Sequence, residues 1–454
     1  MEFRYREADF GQFPKGLMYG LDIMGSWLYD DENAFSQVQL LSIYDRLKEA
    51  VNEGYFEKLI QKWLLDNTHG LILTLVPKRG LAAQREKELA NKLEAYRSSL
   101  SDGQLEEMVE KTKALEAYQE SEERPEDLQC IPMLKRSDIR KEVNGFSNEE
   151  LQVDNSLFLY QDVCTNGIGY VNVMFEIKDM AVEKVHYLGL LKSVLGYVDT
   201  ENYTYGQLFN ETNARTGGIQ CGVDVFDKAD DPEAFRAMFT IRGKALYPQM
   251  DFLFQMMEEI LNTSKITDTK RLYEIIAEIK SRGQASLIGS GHQTAVLRGA
   301  SYGSPMARFQ DEMAGVGYYK FIEDLEKNFQ DKKAEIVAGL ENAMAEIIRR
   351  DSFMVSYTGE RESVEQLKAL SGSLKKSLKE SSCQVPEVAI TCEKKNEGFK
   401  TSGQVQYVAR TGNFVKKGFT YTGALEILKV ALSYDYLWIN LRVKGGAYGC
   451  MSGF

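Results

Sequence analysis

Between residues 83 and 122 the chain changes texture, and this change constrains the fold more than any other feature. Leu89, Leu93, Tyr96 and Leu100 recur at helical spacing in one arm, and Leu105, Val109 and Leu115 recur in a second. Ser99 to Gly103 supplies the turn between them. The two arms are rich in charge, so they read as a helical hairpin that bridges domains in solvent and has no core of its own. The rest of the chain then divides into bodies on either side of it.

Those bodies have ample material for cores. The 454 residues leave room for about three domains, and 43% of them are apolar, with 24 Tyr and 22 Phe. A formal charge of −12 argues against a nucleic-acid partner, which calls for a basic face. Cys130, Cys164, Cys221, Cys383, Cys392 and Cys450 show no C-x-x-C spacing, so neither a zinc knuckle nor a redox pair is expected and free thiols in a reducing compartment are the simplest reading. No run approaches the length of a membrane span, so no membrane partner is expected. The start, Met1-Glu-Phe-Arg-Tyr-Arg, lacks the apolar stretch of a signal peptide, which points to the cytoplasm, or to an organelle matrix if a leader has been removed.

Upstream of the hairpin, residues 37 to 66 carry two amphipathic helical patterns leading to the strand-like run Leu71 to Val76, closed by Pro77. The same order returns at Ile336 to Ile348 and Phe353 to Tyr357, which points to duplicated α+β units. After Pro125 and Pro132, the segments Asn155–Tyr160 and Tyr170–Glu176 alternate as antiparallel strands joined by the turn Asn166-Gly167. Helices are expected over 181–196, 204–215 and 250–282, with a strand pair at 219–227 and 237–243 opened by Thr216-Gly217-Gly218. That triplet reads as a helix-ending turn requiring positive φ. A polar stretch beyond Lys379 ends this domain, Gln404–Val408 starts another sheet, and a helix from Tyr421 to Trp438 leads to Arg442.

Chemistry is declared at Arg442-Val-Lys-Gly445-Gly446-Ala-Tyr448-Gly449, where two polar side chains flank a glycine pair through which a backbone can approach a ligand. The remaining Gly-rich apolar residues to Phe454 look like a strand without its partner, so the chain reads as a fragment. Gly289-Ser-Gly-His-Gln lacks the Lys-Ser/Thr of a phosphate loop and is not a nucleotide site. His69, between Asn67 and the strand-like run, reads as a local hydrogen-bonding residue.

Several segments together resemble the insulinase-type, or pitrilysin, zinc metallopeptidases, and in particular their presequence-protease subfamily. They are Pro14-Lys-Gly16, Trp63-Leu-Leu-Asp-Asn-Thr-His69, Thr165-Asn-Gly167 with Tyr170, Thr216-Gly-Gly218, Gly291-His292, Tyr436-Leu-Trp438, the hairpin, and the run from Arg442 to Tyr448. The resemblance implies an α+β fold of tandem homologous metallopeptidase-like domains, each an antiparallel sheet packed with helices, joined by the hairpin and closing around a peptide. Residues 1–82 then correspond to the end of the second domain, 83–125 to the linker, 126–378 to the third domain, and 379–454 to the opening of the fourth. Peptide substrates and the missing N-terminal half of the same polypeptide are the partners implied.

The family's zinc motif, His-x-x-Glu-His, is absent from this chain. The three histidines, His69, His186 and His292, are isolated, and in the 181–196 helix Tyr187, Leu190 and Leu191 stand where the ligands and general base would be. The third domain therefore reads as a catalytically inactive copy. No metal is expected in this chain, and the resemblance puts zinc in the first domain of the full-length parent. It also makes Tyr448 and Arg442 the catalytic candidates, with Arg442, Gly445 and Gly446 binding substrate. The alternative is a catalytically silent scaffold or assembly subunit of the same fold.

Overall fold

The computed structural model describes residues 2–121, 123–133, 135–142, 145, 147–177, 180–228, 231–380 and 390–454. They form two compact units, one of Gln12–Gly145 and the other joining residues 2–11 to 147–454. The second unit begins with a short helix, α1 (Glu2–Glu7).

The Gln12–Gly145 unit is helical throughout its regular structure. It contains α2 (Lys15–Trp27), α3 (Leu41–Val51), α4 (Tyr55–Ile60), α5 (Leu81–Ser99), α6 (Asp102–Glu120) and α7 (Pro125–Leu128). The hairpin forms as α5 and α6. Ser101 caps α6 reciprocally, accepting from the Gln104 amide at 3.3 Å while Gln104 Oε1 accepts from the Ser101 amide at 2.9 Å. The strand expected over Leu71–Val76 does not form, and Ile72 is 96% exposed. Strand-like composition orders a backbone only where a partner strand takes its N–H and C=O groups, and this unit has no strand among its described residues. Of the two expected helix-then-strand copies, only the downstream one forms.

The larger unit is organised by a six-stranded sheet: β1 (Glu149–Val153), β2 (Ser156–Asp162), β3 (Ile168–Ile177), β4 (Ile219–Lys228), β5 (Asp231–Leu246) and β6 (Phe353–Gly359). Their spatial order is β1-β2-β6-β3-β5-β4. Asn166 (φ 56°) and Gly167 (φ 83°) do make the expected turn between β2 and β3. The two strands are nevertheless not neighbours. β6 enters between them, parallel to β2 and antiparallel to β3, so the anticipated hairpin is a split one. An apolar strand such as Phe353–Gly359, with alternate residues fully buried, gains more from two partners than from an edge.

Period-two alternation puts Val171, Val173, Phe175, Phe239, Ile241, Val355 and Tyr357 in the core, where α8 (Val182–Val194), α9 (Tyr205–Arg215), α10 (Met250–Thr263) and α11 (Thr269–Gly289) join them. α12 (Gly291–Ala300), α13 (Pro305–Ala314), α14 (Val316–Lys327), α15 (Phe329–Ile347) and α16 (Val364–Ser377) complete the helical layer. The other sheet face is more polar, carrying Tyr170, Asn172, Arg242, Lys244, Ser356 and Thr358. α1 docks at its end: Glu7 accepts from Tyr170 Oη at 2.8 Å and Lys244 Nζ at 2.5 Å.

The polar stretch expected after Lys379 falls largely outside the described residues. From 390 onward the chain is extended, and the sheet expected at Gln404–Val408 is absent. The segment runs as a strap over the helices. A side chain on Gly291 would strike the Tyr407 ring, and one on Gly299 would lie 3.0 Å from Thr411 Oγ1, so small residues on α12 admit the strap. Arg298 fastens it through Glu397. The final helix, α17 (Ala424–Ala431), continues as π-helical turns through Val443, five residues beyond the expected end at Trp438.

Candidate functional site

Arg442 lies on the last turn of this extended helix and not on a strand. Its guanidinium carbon stands 3.9 Å from the centroid of the Trp438 ring, one turn back, and stacking there holds the fork in place without using its N–H donors. Among the described residues Arg442 has no carboxylate partner, so those donors remain available.

The glycine pair ends the helix. Gly446 adopts φ 70°, its amide bonds to the Arg442 carbonyl at 3.0 Å, and the Ala447 amide bonds to the Leu441 carbonyl at 2.9 Å. A Cβ on Gly445 would sit 2.7 Å from the Leu441 carbonyl and 2.9 Å from that of Asn440. Both glycines therefore have a local reason to be glycine: the chain can turn out of the helix here only without side chains.

That turn determines where Tyr448 stands, just past the cap and 95% exposed. The residues beyond it fold back along the helix, where Ser452 Oγ lies 2.8 Å from Ser433 Oγ and Phe454 packs edge-on to Phe414 at 6.3 Å. The terminal segment that resembled an unpartnered strand is thus tied back without a sheet. No hydrogen bond links Arg442 with Tyr448, but one helix cap presents both groups to solvent.

The helix compared with a zinc helix is α8. Leu190 and Leu191 are completely buried in the core, and Tyr187 Oη donates to Glu335 at 3.2 Å. These side chains do not fit a zinc ion, for lack of any lone pair that ligates it near neutral pH. His186, one residue earlier, is committed elsewhere. Its Nε2 lies 2.5 Å from Glu312 Oε2, its ring stacks on Phe321 at 4.7 Å, and Arg308 closes on the other Glu312 oxygen at 2.5 Å. Burial alone would push the Glu312 carboxyl up, but His186 and Arg308 outweigh it and hold it below the usual range. Among the described residues no group of three or more His, Cys, Asp or Glu is placed to hold a metal.

His69 behaves locally, its amide bonding to Asn67 Oδ1 at 2.9 Å. His292 packs 6.2 Å from the Tyr407 ring. Gly218, at φ 104°, supplies the positive-φ turn expected after α9. Sequence reading passed over the buried network of Arg298, Asp311 and Glu397. Its members lie far apart in the chain, and no spacing rule connects them.

The family described as "Peptidase M-16C associated" matches residues 75–325, and the "PreP C-terminal domain" matches residues 396–454. "Protein HypA" of Clostridium perfringens (strain 13 / Type A) is 35% identical over 454 residues, which are 100% of this chain and 46% of that protein. "Presequence protease 1, chloroplastic/mitochondrial" of Arabidopsis thaliana is 28% identical, covering 100% of this chain and 42% of its own length. "Presequence protease, mitochondrial" of Yarrowia lipolytica (strain CLIB 122 / E 150) is 26% identical, covering 98% and 44%. The chain thus spans less than half the length of these relatives. No described helix is long and apolar enough to cross a membrane.

Proposed function

Because this chain belongs to the peptidase-associated family whose pattern spans residues 75–325, we propose that it works as part of a zinc metalloendopeptidase of the presequence-protease type, acting on unstructured peptides. In this reading residues 126–378 are a catalytically inactive domain, and residues 379–454 belong to a further domain that carries Arg442 and Tyr448. The metal ligands would come from sequence outside this chain, as would the general base.

The observation that carries this reading is the cap at Gly445-Gly446, which leaves a phenol hydroxyl and a guanidinium exposed and without polar partners. Peptide hydrolysis passes through a tetrahedral intermediate whose oxyanion needs donors aimed at it. Tyr448 Oη is the candidate donor, and Arg442 grips a substrate carbonyl with its planar fork. Two donors exposed in this way complete a site only when another surface closes over them, which couples substrate enclosure to chemistry. Gly446 serves the site by setting the turn that projects Tyr448.

A silent scaffold of the same fold is favoured by the apolar Leu190 and Leu191 on α8, but it gives no account of two unsatisfied donors on one cap. Tyr448→Phe in the full-length protein separates the readings. It removes one hydroxyl that touches nothing in this structure, so kcat on a short peptide should fall about 10²-fold with KM nearly unchanged. An unaltered kcat under conditions where chemistry limits turnover would leave Tyr448 as a surface residue.

A further inference from the structure

β4 is the last strand of the sheet and pairs only with β5. Along it runs a groove of about 670 Å³, within the range of ligand clefts. Its lining includes consecutive β4 residues from both faces of the sheet, Ile219, Gln220, Cys221 and Gly222 among them. An opening bordered by successive residues of one strand lies at that strand's edge, where the outward backbone N–H and C=O groups have no partner strand. The opposite wall is formed by α9, α11 and the end of α8.

The charges of the groove are unevenly matched. Arg242 pairs with Asp224, Arg282 with Glu278, and Arg271 with Glu274. Lys192 is the exception. It is half-buried, and it makes no ion pair or hydrogen bond among the described residues. Burial pushes its ammonium below the ordinary lysine range, the cost of a desolvated cation without a counter-charge. Thr240 Oγ1, fully buried beneath the same groove, also has no hydrogen-bond partner. The cleft thus offers a backbone ladder along one wall and an uncompensated positive charge on another.

We propose that the β4 edge is a binding site for an extended peptide, which adds as a further strand and places a carboxylate, from an acidic side chain or its C-terminus, against Lys192. Backbone pairing would supply affinity and Lys192 would supply selectivity for an acidic group. The site shares no residue with Arg442 or Tyr448, and it calls for binding alone, without cleavage.

The test uses the 454-residue chain and rhodamine-labelled peptides matching the ten residues of β4, followed by fluorescence anisotropy. One soluble Ser/Thr/Val peptide carries a central Glu, a second has Gln there, and a third keeps Glu but is N-methylated at alternate residues. The Glu peptide should bind about tenfold more tightly than the Gln peptide, and N-methylation should abolish binding. Lys192→Gln should bring the Glu peptide down to the Gln level, and Lys192→Arg should restore it, with circular dichroism confirming that both variants fold. Equal affinity for Glu and Gln peptides, undiminished binding of the N-methylated one, or no binding would each overturn the proposal. So would sedimentation showing that a second copy of the chain occupies this edge.

Discussion

Arg298 on α12 holds Glu397 on the strap in a two-point grip, Nε to Oε2 at 2.7 Å and Nη2 to Oε1 at 2.9 Å, while its Nη1 reaches the fully buried Asp311 at 2.5 Å. One guanidinium thus ties two distant parts of the chain together. Asp311 is in turn fixed by the amides of Val316 and Gly317 at the start of α14, at 3.0 and 3.3 Å.

Acidification should release this grip. Arg298, assisted by Tyr302 and Lys320, pulls the Glu397 carboxyl from an ordinary 4.5 down to about 2. A carboxyl depressed in the folded state stabilises above its unfolded value, and that contribution disappears as pH falls through the folded one. With its partial exposure discounted, Glu397 should contribute about 1–2 kcal/mol above pH 4.5, lost toward pH 2. Urea unfolding should show Glu397→Gln less stable by that amount at pH 7, with the gap to wild type closing below pH 4.5. A gap independent of pH would mean that the ion pair is not its source.

Close helix packing makes a second prediction. A Cβ on Gly189 of α8 would collide with the Met313 carbonyl of α13 and approach the Tyr318 ring at 2.8 Å. A backbone carbonyl cannot rotate away as a side chain does, so Gly189→Ala should cost about 1–3 kcal/mol in thermal or urea unfolding. A neutral substitution would show that α8 and α13 separate freely.

At the C-terminal cap, Gly446→Ala forces a Cβ into φ 70° and should destabilise the end of the π-helical segment by about 1 kcal/mol. Because the same turn projects Tyr448, the full-length enzyme should lose kcat as well. Hydrogen exchange at 441–448 reads the first effect and peptide cleavage reads the second. A fall in activity with unchanged exchange would require a direct contact with substrate instead.

Arg442→Lys in the full-length protein keeps the charge and loses the planar fork that stacks on Trp438. KM should rise along with a fall in kcat if the guanidinium grips a ground-state carbonyl. A change confined to kcat would restrict Arg442 to the transition state.

The isolated 454-residue chain should hold no stoichiometric zinc, because Leu190 and Leu191 are not ligands and His186 is engaged with Glu312. Elemental analysis finding about one tightly held zinc per chain would require a site built from other residues.

What the sequence reveals and what it hides follow from the range of the interactions involved. The hairpin, α8 to α11 and the strands β2 to β6 are legible because each rests on local periodicity: Val171, Val173 and Phe175 alternate whatever their neighbours. Strand order is not local, and nothing near Asn166-Gly167 announces that Phe353–Gly359 will part β2 from β3. Leu71–Val76 and Gln404–Val408 fail for a related reason, since composition proposes a strand but only a partner confirms it. At the site, Arg442 and Tyr448 are legible as chemistry, whereas the role of Gly445 and Gly446 as a helix cap emerges only once the helix is seen to run through Val443.

The split between β2 and β3 bears on how the chain reaches its native state. A ribosome delivers β2 and β3 nearly two hundred residues before the strand that must lie between them, as the 195-residue separation of Gln161 and Ser356 records. Until β6 emerges, a gap of two strand spacings, roughly 9–10 Å, separates what will become its neighbours. The nascent sheet must either wait open or pair wrongly, and resolving a β2–β3 mispairing would require breaking a formed ladder. Folding should therefore be slow and dominated by late, long-range closure, and a ribosome stalled before Phe353 should carry a nascent chain that readily engages chaperones.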